Sequence, residues 1–594
     1  MSIGTALSQL KRRRAVVALV ALGLSYALVM QNLGWAQTSF FAQIKSFGDG
    51  KAQIDRYHWE SQDVSWHDGH FYSVKAPGMA MLLTAPYLAF DALGGRALAA
   101  DVARTAREHG PSRWHYKALP IHNYGYSVAR RNATQSLLER QSPMVWALGL
   151  LGSVLPAILL LWMVKRVGDR LMPGGGLAAA TMLGAGTLVL PFASELFSHV
   201  LAATIAFAAF ALLLKERSGP ARLALLVAAG ALAGFAVVTE YPLAIAGGLI
   251  GLYAVTRGGA LASWTQRLRR AAAYAGGVLI GVVPLAVYNA WAFGTIDHNG
   301  YTGAVKTAGR SGHAVLGLND AHFFGISFPN PGTALELLFS ARGLLTIGPV
   351  IGVGVYGLVL LYRSGRRAEA LLAGGIVLAY LAYDSGYWTP FGGGTPGPRF
   401  LIPLLPFAAI GLAAAWRSRP ALCAALLGPS VVMLLAATLT RPLIGDAESA
   451  GVWATLLGQN LFSNTVLSAV GLGNGWAESV PVIACVAIAL WAGLGTRLAT
   501  AGVAAAGNDV WVALAALVAW FGIAISAPAL WNVPAVVTGD SGALALFSTG
   551  AGTGLVFLGI VARRTRNTGG ADGTVPSTFN RRDAVEDDVA SQLA

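Results

Sequence analysis

Long apolar runs separated by short polar or basic stretches dominate the hydrophobic pattern of the chain. A membrane-spanning helix needs roughly 17–25 predominantly apolar residues, and about fourteen runs approach that length. The pattern therefore predicts an all-α integral membrane protein, a helical bundle of about 14 spans. The predicted spans cover residues 15–36, 143–164, 175–194, 197–214, 221–238, 241–256, 272–292, 343–362, 368–384, 400–416, 420–439, 478–494, 508–527 and 543–562.

Composition agrees with a membrane protein. Of the 594 residues, 55% are hydrophobic and only 12% are charged, whereas a soluble protein carries about 25% charged residues. The formal charge of +14 does not indicate nucleic-acid binding, because the basic residues form short clusters between apolar runs, as in membrane proteins. We therefore expect membrane lipid, and no nucleic acid, among the partners of the chain.

Residues 76–95 form one further apolar stretch, and the positive-inside rule decides how to place it. If this stretch lies along the interface as an amphipathic helix, the basic clusters fall on one side of the membrane, and both termini are cytoplasmic. The basic residues that follow the spans are Lys165, Arg166, Arg170, Lys215, Arg217, Arg267, Arg269, Arg270, Arg363, Arg366, Arg367, Arg417, Arg419, Arg563, Arg564 and Arg566.

This topology divides the chain into five parts. Residues 1–36 are predicted to be a cytoplasmic start and an uncleaved first span, since the apolar run is longer than that of a signal peptide. An extracytoplasmic loop with interfacial helices follows, then a transmembrane core, additional C-terminal spans and a disordered cytoplasmic tail. These four parts are residues 37–142, 143–420 with an outer loop at 293–342, 421–566 and 567–594.

Polar chemistry concentrates in segments that this topology places on the outer face. The first segment holds carboxylates that can act as a base or bind a divalent cation, together with histidines, aromatic residues and a lysine. The alternative is a solvated loop with ordinary surface charges. The carboxylates are Asp49, Asp55, Glu60, Asp63 and Asp68, and the side chains among them include His58, His70, Tyr72 and Lys75.

Three further segments contain candidate site residues. Glu195 and His199 are four residues apart and can share a helical face as a pair, although a capped hairpin explains them equally well. Glu240 is a weaker candidate for the site, because its position in a turn also explains a carboxylate there. Glycines between Trp388 and Arg399 let backbone N–H groups approach an anion, and arginine suits bidentate contact with phosphate. The alternative is a flexible hairpin whose arginine snorkels to the headgroups.

Five groups of short motifs follow one another along the chain. They are GHFYSVKAPG at 69–78, LFSH at 196–199, Tyr288-Asn289 with Phe293-Gly294, LFS at 338–340 with RGL at 342–344, and WTPFGGGTPGPR at 388–399. In this order, the motifs resemble the GT-C superfamily of polyprenyl-phosphate-sugar-dependent glycosyltransferases, in particular bacterial relatives of the protein O-mannosyltransferases and aminoarabinose transferases. The resemblance covers roughly residues 40–420. One feature departs from it, because many members carry two adjacent acidic residues early in the first loop and this chain has none there.

The resemblance implies a GT-C-like bundle in a bacterial inner membrane, with an extracytoplasmic catalytic loop. It implies inverting transfer of a hexose or pentose from a polyprenyl-phosphate donor to a glycan, lipid or protein hydroxyl, with Mg²⁺ or Mn²⁺ as a conceivable cofactor. We take Asp55 as the expected base and Asp63 as second choice. The expected donor and phosphate ligands are Lys75, Arg399, His70 and Tyr72, and the expected acceptor or positioning residues are His199, Glu195, His58 and Trp388.

A multi-span transporter or flippase of a lipid-linked or polar substrate is the competing hypothesis. It predicts ionisable groups near the bilayer midplane, commonly within internally repeated halves. The sequence has no evident repeat, and its polar clusters fall outside the predicted spans. A structural scaffold, a third class, does not need an acidic cluster in the first loop. The pattern therefore favours the transferase.

Overall fold

The fold is that of a helical bundle with two very short sheets, seen in a computed structural model of the chain. The structure describes residues 3–31, 33–108, 127–257, 263–298, 300–301, 304, 322–445, 448, 450–473, 475–495, 503–531 and 541–569. The predicted disordered tail, residues 567–594, falls almost entirely outside these ranges. So do residues 305–321 of the predicted outer loop at 293–342.

Helices make up most of the described chain. In its N-terminal half they are Ile3–Leu28, Trp35–Gly48, Gly78–Ala92, Gly95–Glu108, Val128–Gly149, Leu155–Leu171, Gly176–Gly186, Val189–Ala193, Ser198–Arg217, Leu223–Thr239, Leu243–Val255 and Trp264–Phe293. In its C-terminal half they are Pro331–Phe339, Leu344–Ile347, Val350–Arg363, Arg367–Ser385, Leu405–Ser418, Pro420–Leu439, Ala450–Gly458, Val466–Ala469, Trp476–Leu494, Val503–Ser526 and Ser541–Gly569. The strands Val29–Met30 and Asn464–Thr465 pair antiparallel, as do Val64–His67 and His70–Ser73.

The chain is a multi-pass membrane protein. Among the described residues, nine helices are long and apolar enough to cross a membrane, ten if one bent pair counts as a span, and three shorter apolar helices accompany them. Large apolar side chains on these helices point outwards, where water would make them costly and lipid does not. They include Leu252, Leu279, Ile280, Val518 and Val556.

Two predicted spans are interrupted. The run at 175–194 divides into Gly176–Gly186 and Val189–Ala193. The run at 343–362 belongs to a bent pair, in which the helical segments Pro331–Ile347 and Val350–Arg363 meet at 91°. Pro349 lies at this second break, and proline cannot donate a helical hydrogen bond. Hydropathy alone does not register such breaks, because the residues at them are still mostly apolar.

The first predicted span, 15–36, also ends early, since its helix stops at Leu28. Gln31, just beyond it, is buried and donates hydrogen bonds to Ser194 Oγ (3.2 Å) and the Thr438 carbonyl (3.0 Å). A buried amide needs such partners, so this segment leaves the helix to join two distant parts of the bundle. The next helix, Trp35–Gly48, starts the first loop.

Small residues let the helices Leu223–Thr239 and Trp264–Phe293 approach closely. Each carries a pair of glycines four residues apart, and a Cβ atom on any of these glycines would overlap the backbone of the opposite helix. This is the small-residue packing that membrane helices use where lipid supplies no hydrophobic drive for association. The glycines are Gly230 and Gly234 on one helix and Gly277 and Gly281 on the other. Their packing fixes the ends of both helices, which matter for the site.

The first loop contains an antiparallel hairpin between two helices. The hairpin runs from Val64 to Ser73, which form its outermost residue pair. The predicted helix at 76–95 is present as Gly78–Ala92. It packs on Trp35–Gly48 partly through Phe41 and Tyr87, whose rings meet edge to face at 5.9 Å. Its position along the membrane interface stays a prediction.

At the C-terminal end of the helix Ser198–Arg217, a buried ion-pair cluster joins three segments. Glu216 accepts two hydrogen bonds from Arg270 (2.8 and 2.7 Å) and a third from Arg257. The Glu216 side chain is 0% exposed and that of Arg270 9%. We expect Glu216→Gln to destabilise the protein by about 3 kcal/mol, because it leaves buried arginine charge without its anion. The midpoint of unfolding in a denaturing detergent titration measures this loss.

Asp101→Asn is the matched control for this prediction. Its ion pair with Arg104 is 61% and 66% exposed, and pairs of this kind contribute little. The unfolding midpoint of this variant should match that of wild type. Equal midpoints for all three proteins would contradict a stabilising role for Glu216.

Candidate functional site

A cavity of about 1010 Å³ lies where the ends of several helices meet the first loop. The start of Ser198–Arg217, the ends of Leu223–Thr239 and Trp264–Phe293 and the segment after Arg367–Ser385 all contribute to its wall. Much of the wall is apolar. Five of the residues predicted from sequence line it together, namely Asp63, Lys75, His199, Trp388 and Arg399.

Asp63 and Lys75 form an ion pair in the cavity wall. Lys75 Nζ lies 2.6 Å from Asp63 Oδ2, and the two side chains are 16% and 6% exposed. The hairpin brings them together, because Asp63 precedes its first strand and Lys75 follows its second. Ser39 Oγ donates a hydrogen bond to the Asp63 carbonyl (2.6 Å) and so holds the base of the hairpin against the helix Trp35–Gly48.

The groups around Lys75 compensate the positive charge of its ammonium only in part. Burial lowers the pKa of its ammonium, the Asp63 carboxylate opposes that shift, and the Arg399 cation adds to it. Desolvation and a nearby like charge both disfavour the charged lysine. An anionic group bound in the cavity would relieve both effects, which makes this part of the wall suited to an anion.

Arg399 lies in the wall without an anionic partner. Within the described ranges, no carboxylate comes within 4 Å of its guanidinium, and its buried Nε has no hydrogen-bond partner. The guanidinium carbon lies 5.2 Å from the ring centroids of both Phe197 and Phe400. These rings support the cation and leave its N–H donors for a ligand. Arg399 is partly exposed, and no carboxylate of the described residues forms an ion pair with it, so its charge is available to an anion that binds in the cavity.

His199 and Glu240 form a second pair in the wall. Nδ1 of His199 lies 2.6 Å from Glu240 Oε1, and the side chains are 6% and 9% exposed. His199 begins the helix Ser198–Arg217, and Glu240 follows the end of Leu223–Thr239. The pair joins residues 41 positions apart in sequence. Spacing along the chain had offered Glu195 as one partner for His199, with a capped hairpin as an equal alternative, and the structure pairs His199 with Glu240 instead.

Glu195 lies behind the cavity wall and does not line it. Its Oε2 accepts a hydrogen bond from Gln37 Nε2 (2.8 Å), and Gln37 does line the cavity. Burial raises the pKa of the Glu195 carboxyl, against the opposing effect of the Arg399 cation. The arrangement positions Gln37, a residue that the sequence pattern did not single out.

An aromatic cluster closes another part of the wall. The hydroxyl groups of Tyr301 and Tyr387 lie 2.5 Å apart, and Trp388 Nε1 donates a hydrogen bond to Tyr301 Oη (3.3 Å). All three residues line the cavity. Flat rings with polar edges suit the apolar faces of a sugar ring. The sequence had indicated Trp388, but no motif pointed to Tyr301.

Besides Glu195, four other residues that the sequence had proposed for the site do not line the cavity. Asp55 Oδ1 accepts the Phe71 backbone N–H (2.6 Å) and its Oδ2 pairs with His70 Nδ1 (2.7 Å), so this exposed carboxylate closes the hairpin. His58 stacks on Phe71 with ring centroids 4.1 Å apart. Tyr72 donates to the Ala292 carbonyl (2.8 Å). Asp55, His58, His70 and Tyr72 therefore shape the hairpin that carries Asp63 and Lys75.

Metal ligands of the expected kind are not grouped in the part of the chain that the structure describes. There, no set of three or more His, Cys, Asp or Glu side chains is placed to hold a cation. Of the carboxylates that line the cavity, Asp63 and Glu240 are instead paired with Lys75 and His199, and Asp297 is exposed. We therefore derive no step of the chemistry through a metal ion.

Comparison with known proteins finds a distant likeness at the level of the structure. No family model and no curated protein sequence matches the chain. The chain is similar to the crystal structure of ArnT from Cupriavidus metallidurans bound to undecaprenyl phosphate, with a TM-score of 0.42 and 16% sequence identity over 96% of this chain and 79% of that one. A likeness this distant carries no argument about function, so the inferences below depend on the residues of this chain.

Proposed function

We propose that the protein is a membrane glycosyltransferase that moves a sugar from a polyprenyl-phosphate-linked donor to an acceptor hydroxyl. The observation that carries this proposal is the position of Arg399, which has no ion-pair partner among the described residues, in the same cavity as the Asp63–Lys75 ion pair. Arginine and lysine recognise phosphate, and a carboxylate can accept the proton of an attacking hydroxyl. The order of the motifs, similar to that of GT-C enzymes, supports the same reaction.

The apolar wall beside these charges supports a lipid-linked donor. Val237, Ile245 and Leu285 line the same cavity, and all three belong to helices of the apolar bundle. A donor with a charged head and a polyprenyl tail would place its phosphate near Arg399 and its tail among such side chains. A purely polar substrate would gain nothing from this part of the wall.

In the proposed reaction, the acceptor oxygen attacks the anomeric carbon while the bond from that carbon to the phosphate oxygen breaks. Asp63 takes the proton of the attacking hydroxyl, and the polyprenyl phosphate leaves with the electron pair of the broken bond. The transition state has oxocarbenium character, as in other glycosyl transfers. Arg399 and Lys75 stabilise the charge that develops on the departing phosphate. Direct displacement of this kind inverts the anomeric carbon.

The same proposal places the cavity on the extracytoplasmic side of a bacterial inner membrane. It follows from the positive-inside distribution of basic residues, which puts the helix ends around the cavity opposite the basic clusters. Glu216, Arg257 and Arg270 lie at the other ends of those helices, away from His199 and Glu240. The acceptor is then a glycan, lipid or protein of the cell envelope.

The test uses purified full-length protein in lipid nanodiscs and a panel of synthetic short-chain polyprenyl phosphates that carry hexoses or pentoses. Glycan, lipid and peptide acceptors are added in turn, and mass spectrometry follows free polyprenyl phosphate and glycosylated acceptor. We expect both products to appear together for at least one donor. Movement of an intact lipid-linked sugar between the leaflets of proteoliposomes, without cleavage, would instead establish a flippase.

A further inference from the structure

The carboxylate of Glu240 has one oxygen for which the protein supplies no partner. Oε1 lies 2.6 Å from His199 Nδ1, whereas Oε2 is buried and has no hydrogen-bond partner. The residue is 7% exposed and lines the cavity. A buried acceptor without a donor costs free energy, and most such groups in proteins are satisfied. This oxygen can therefore accept a hydrogen bond from a ligand that carries a donor.

The imidazole of His199 supplies a second polar atom beside it. A carboxylate only accepts hydrogen bonds, so Nδ1 of His199 must be the donor to Glu240. In the neutral ring with its proton on Nδ1, Nε2 is an acceptor. Phe192, Phe197 and Phe400 surround the ring with centroids 5.6–5.8 Å from that of His199, which fixes its orientation. The pair thus offers two acceptors, Glu240 Oε2 and His199 Nε2.

Close packing puts this pair next to the reaction groups. A Cβ atom on Gly78 would lie 2.8 Å from the backbone of Val238 and Thr239, so only glycine lets the two chains approach this closely. Gly78 is three residues after Lys75, and Thr239 directly precedes Glu240. The contact therefore holds the Asp63–Lys75 pair beside the His199–Glu240 pair. Lys75 and Glu240 are close enough to interact electrostatically.

The surrounding charges restrict the chemistry of the ligand. A cation at Glu240 would be repelled by Lys75 and by Arg399, both of which lie near the pair. An anion would be repelled by Glu240 itself. A neutral group with two O–H donors satisfies both acceptors and avoids both repulsions. Adjacent hydroxyl groups of a sugar ring have this chemistry.

We infer that His199 and Glu240 form a diol-binding pair, which holds two neighbouring sugar hydroxyls and so orients the sugar against Asp63. This inference deepens the proposed function and rests on it, since it assumes that a sugar occupies the cavity. The sugar is that of the donor or that of an acceptor glycan. In either case His199 and Glu240 are positioning residues, and Arg399 and Lys75 bind the phosphate.

The first test compares two ligands on full-length protein in nanodiscs, a polyprenyl-phosphate sugar and the same polyprenyl phosphate without sugar. If the donor sugar is held, Glu240→Gln should weaken binding of the sugar-bearing lipid about tenfold, because a hydrogen bond to a charged group is lost, and leave the bare lipid unchanged. If the acceptor is held, donor binding stays the same and the KM for a glycan acceptor rises about tenfold with kcat nearly unchanged. Equal weakening of both lipids, or no change in any of these constants, would overturn the inference.

Controls separate this effect from misfolding and from failure of the proposed function. Glu369→Gln changes a carboxylate that accepts a hydrogen bond from Tyr253 Oη (2.8 Å) in another part of the bundle, and all its ligand affinities should equal those of wild type. Glu240→Asp keeps the charge and should recover part of the sugar preference. If wild type binds neither lipid, the proposed function fails before the diol-binding pair is tested.

A second test needs no variant. Deoxy analogues of the sugar, each lacking one hydroxyl, are bound to wild-type protein. Removal of either of two adjacent hydroxyls should weaken binding of the donor, or raise the KM of the acceptor, about tenfold. If every single-deoxy analogue of donor and acceptor behaves like its parent, no diol is recognised and the inference is wrong.

Discussion

Asp63→Asn should reduce the rate of sugar transfer about 10³-fold, while the protein still binds its lipid-linked donor. The carboxylate lies in the cavity wall, 2.6 Å from Lys75 Nζ and only 6% exposed. Asparagine keeps its size but cannot accept the acceptor proton, and loss of a positioned general base typically costs 10²–10⁴ in rate. Single-turnover assays with saturating donor and acceptor measure the chemical step, and a separate binding titration reports donor affinity.

Two variants of the first loop serve as comparisons. Asp68→Asn changes an exposed residue at its turn and should transfer sugar at the wild-type rate. Asp55→Asn weakens the bonds to Phe71 and His70 that close the hairpin, so we expect a loss below tenfold together with lower thermal stability. A 10³-fold loss with Asp55→Asn and full activity with Asp63→Asn would return the role of base to Asp55.

The sequence was sufficient for the fold class and for part of the site. Apolar runs of membrane-spanning length predict a helical membrane protein because lipid accepts few other structures, and the described helices confirm it. Asp63, Lys75, His199, Trp388 and Arg399 were all singled out by residue type and motif. That these five side chains meet in one cavity had been expected only because the predicted topology places them on the same side of the membrane.

The choice between Asp55 and Asp63 could not be made from the sequence. Asp63 directly precedes the first strand of the hairpin, Asp55 lies earlier in the first loop, and the same residue type gives both the same chemistry. Only the register, in which Val64 pairs with Ser73, shows that Asp63 sits at the base of the hairpin beside Lys75. The sequence analysis had placed Asp55 first and Asp63 second.

The sequence did not predict the pairs of residues that lie far apart in the chain, and the reason is a different one. Glu240 reads as a turn residue, and its pairing with His199 depends on how two helix ends meet in space. The partner of Glu195 is Gln37, 158 positions earlier in the chain. Helical spacing reports neighbours three or four residues apart and contains no information on contacts between helices. The glycine contact at Gly78, which aligns two of these segments, is equally invisible in a hydropathy profile.

Arg399→Gln should lower affinity for the polyprenyl phosphate head group and reduce transfer by 10²–10³-fold. The guanidinium has no carboxylate partner among the described residues, and it lies beside Lys75 in the cavity. Its charge is therefore free to act on a phosphate, and removal of one such stabilising group typically costs 10²–10³ in kcat. Titration of nanodisc-embedded protein with polyprenyl phosphate gives the affinity, and steady-state kinetics give kcat.

Arg399→Lys and Arg217→Gln complete this comparison. Lysine keeps the charge but not the planar pair of donors, so its affinity and rate should lie between those of wild type and of Arg399→Gln. Arg217 donates to the Tyr253 carbonyl (2.6 Å) at the far end of its helix, and Arg217→Gln should bind polyprenyl phosphate as wild type does. Because the Arg399 cation also lowers the pKa of Lys75, its removal should leave Lys75 more readily charged. If Arg399→Gln bound the lipid phosphate with undiminished affinity, Lys75 alone would be the phosphate ligand and the unpaired arginine would need another explanation.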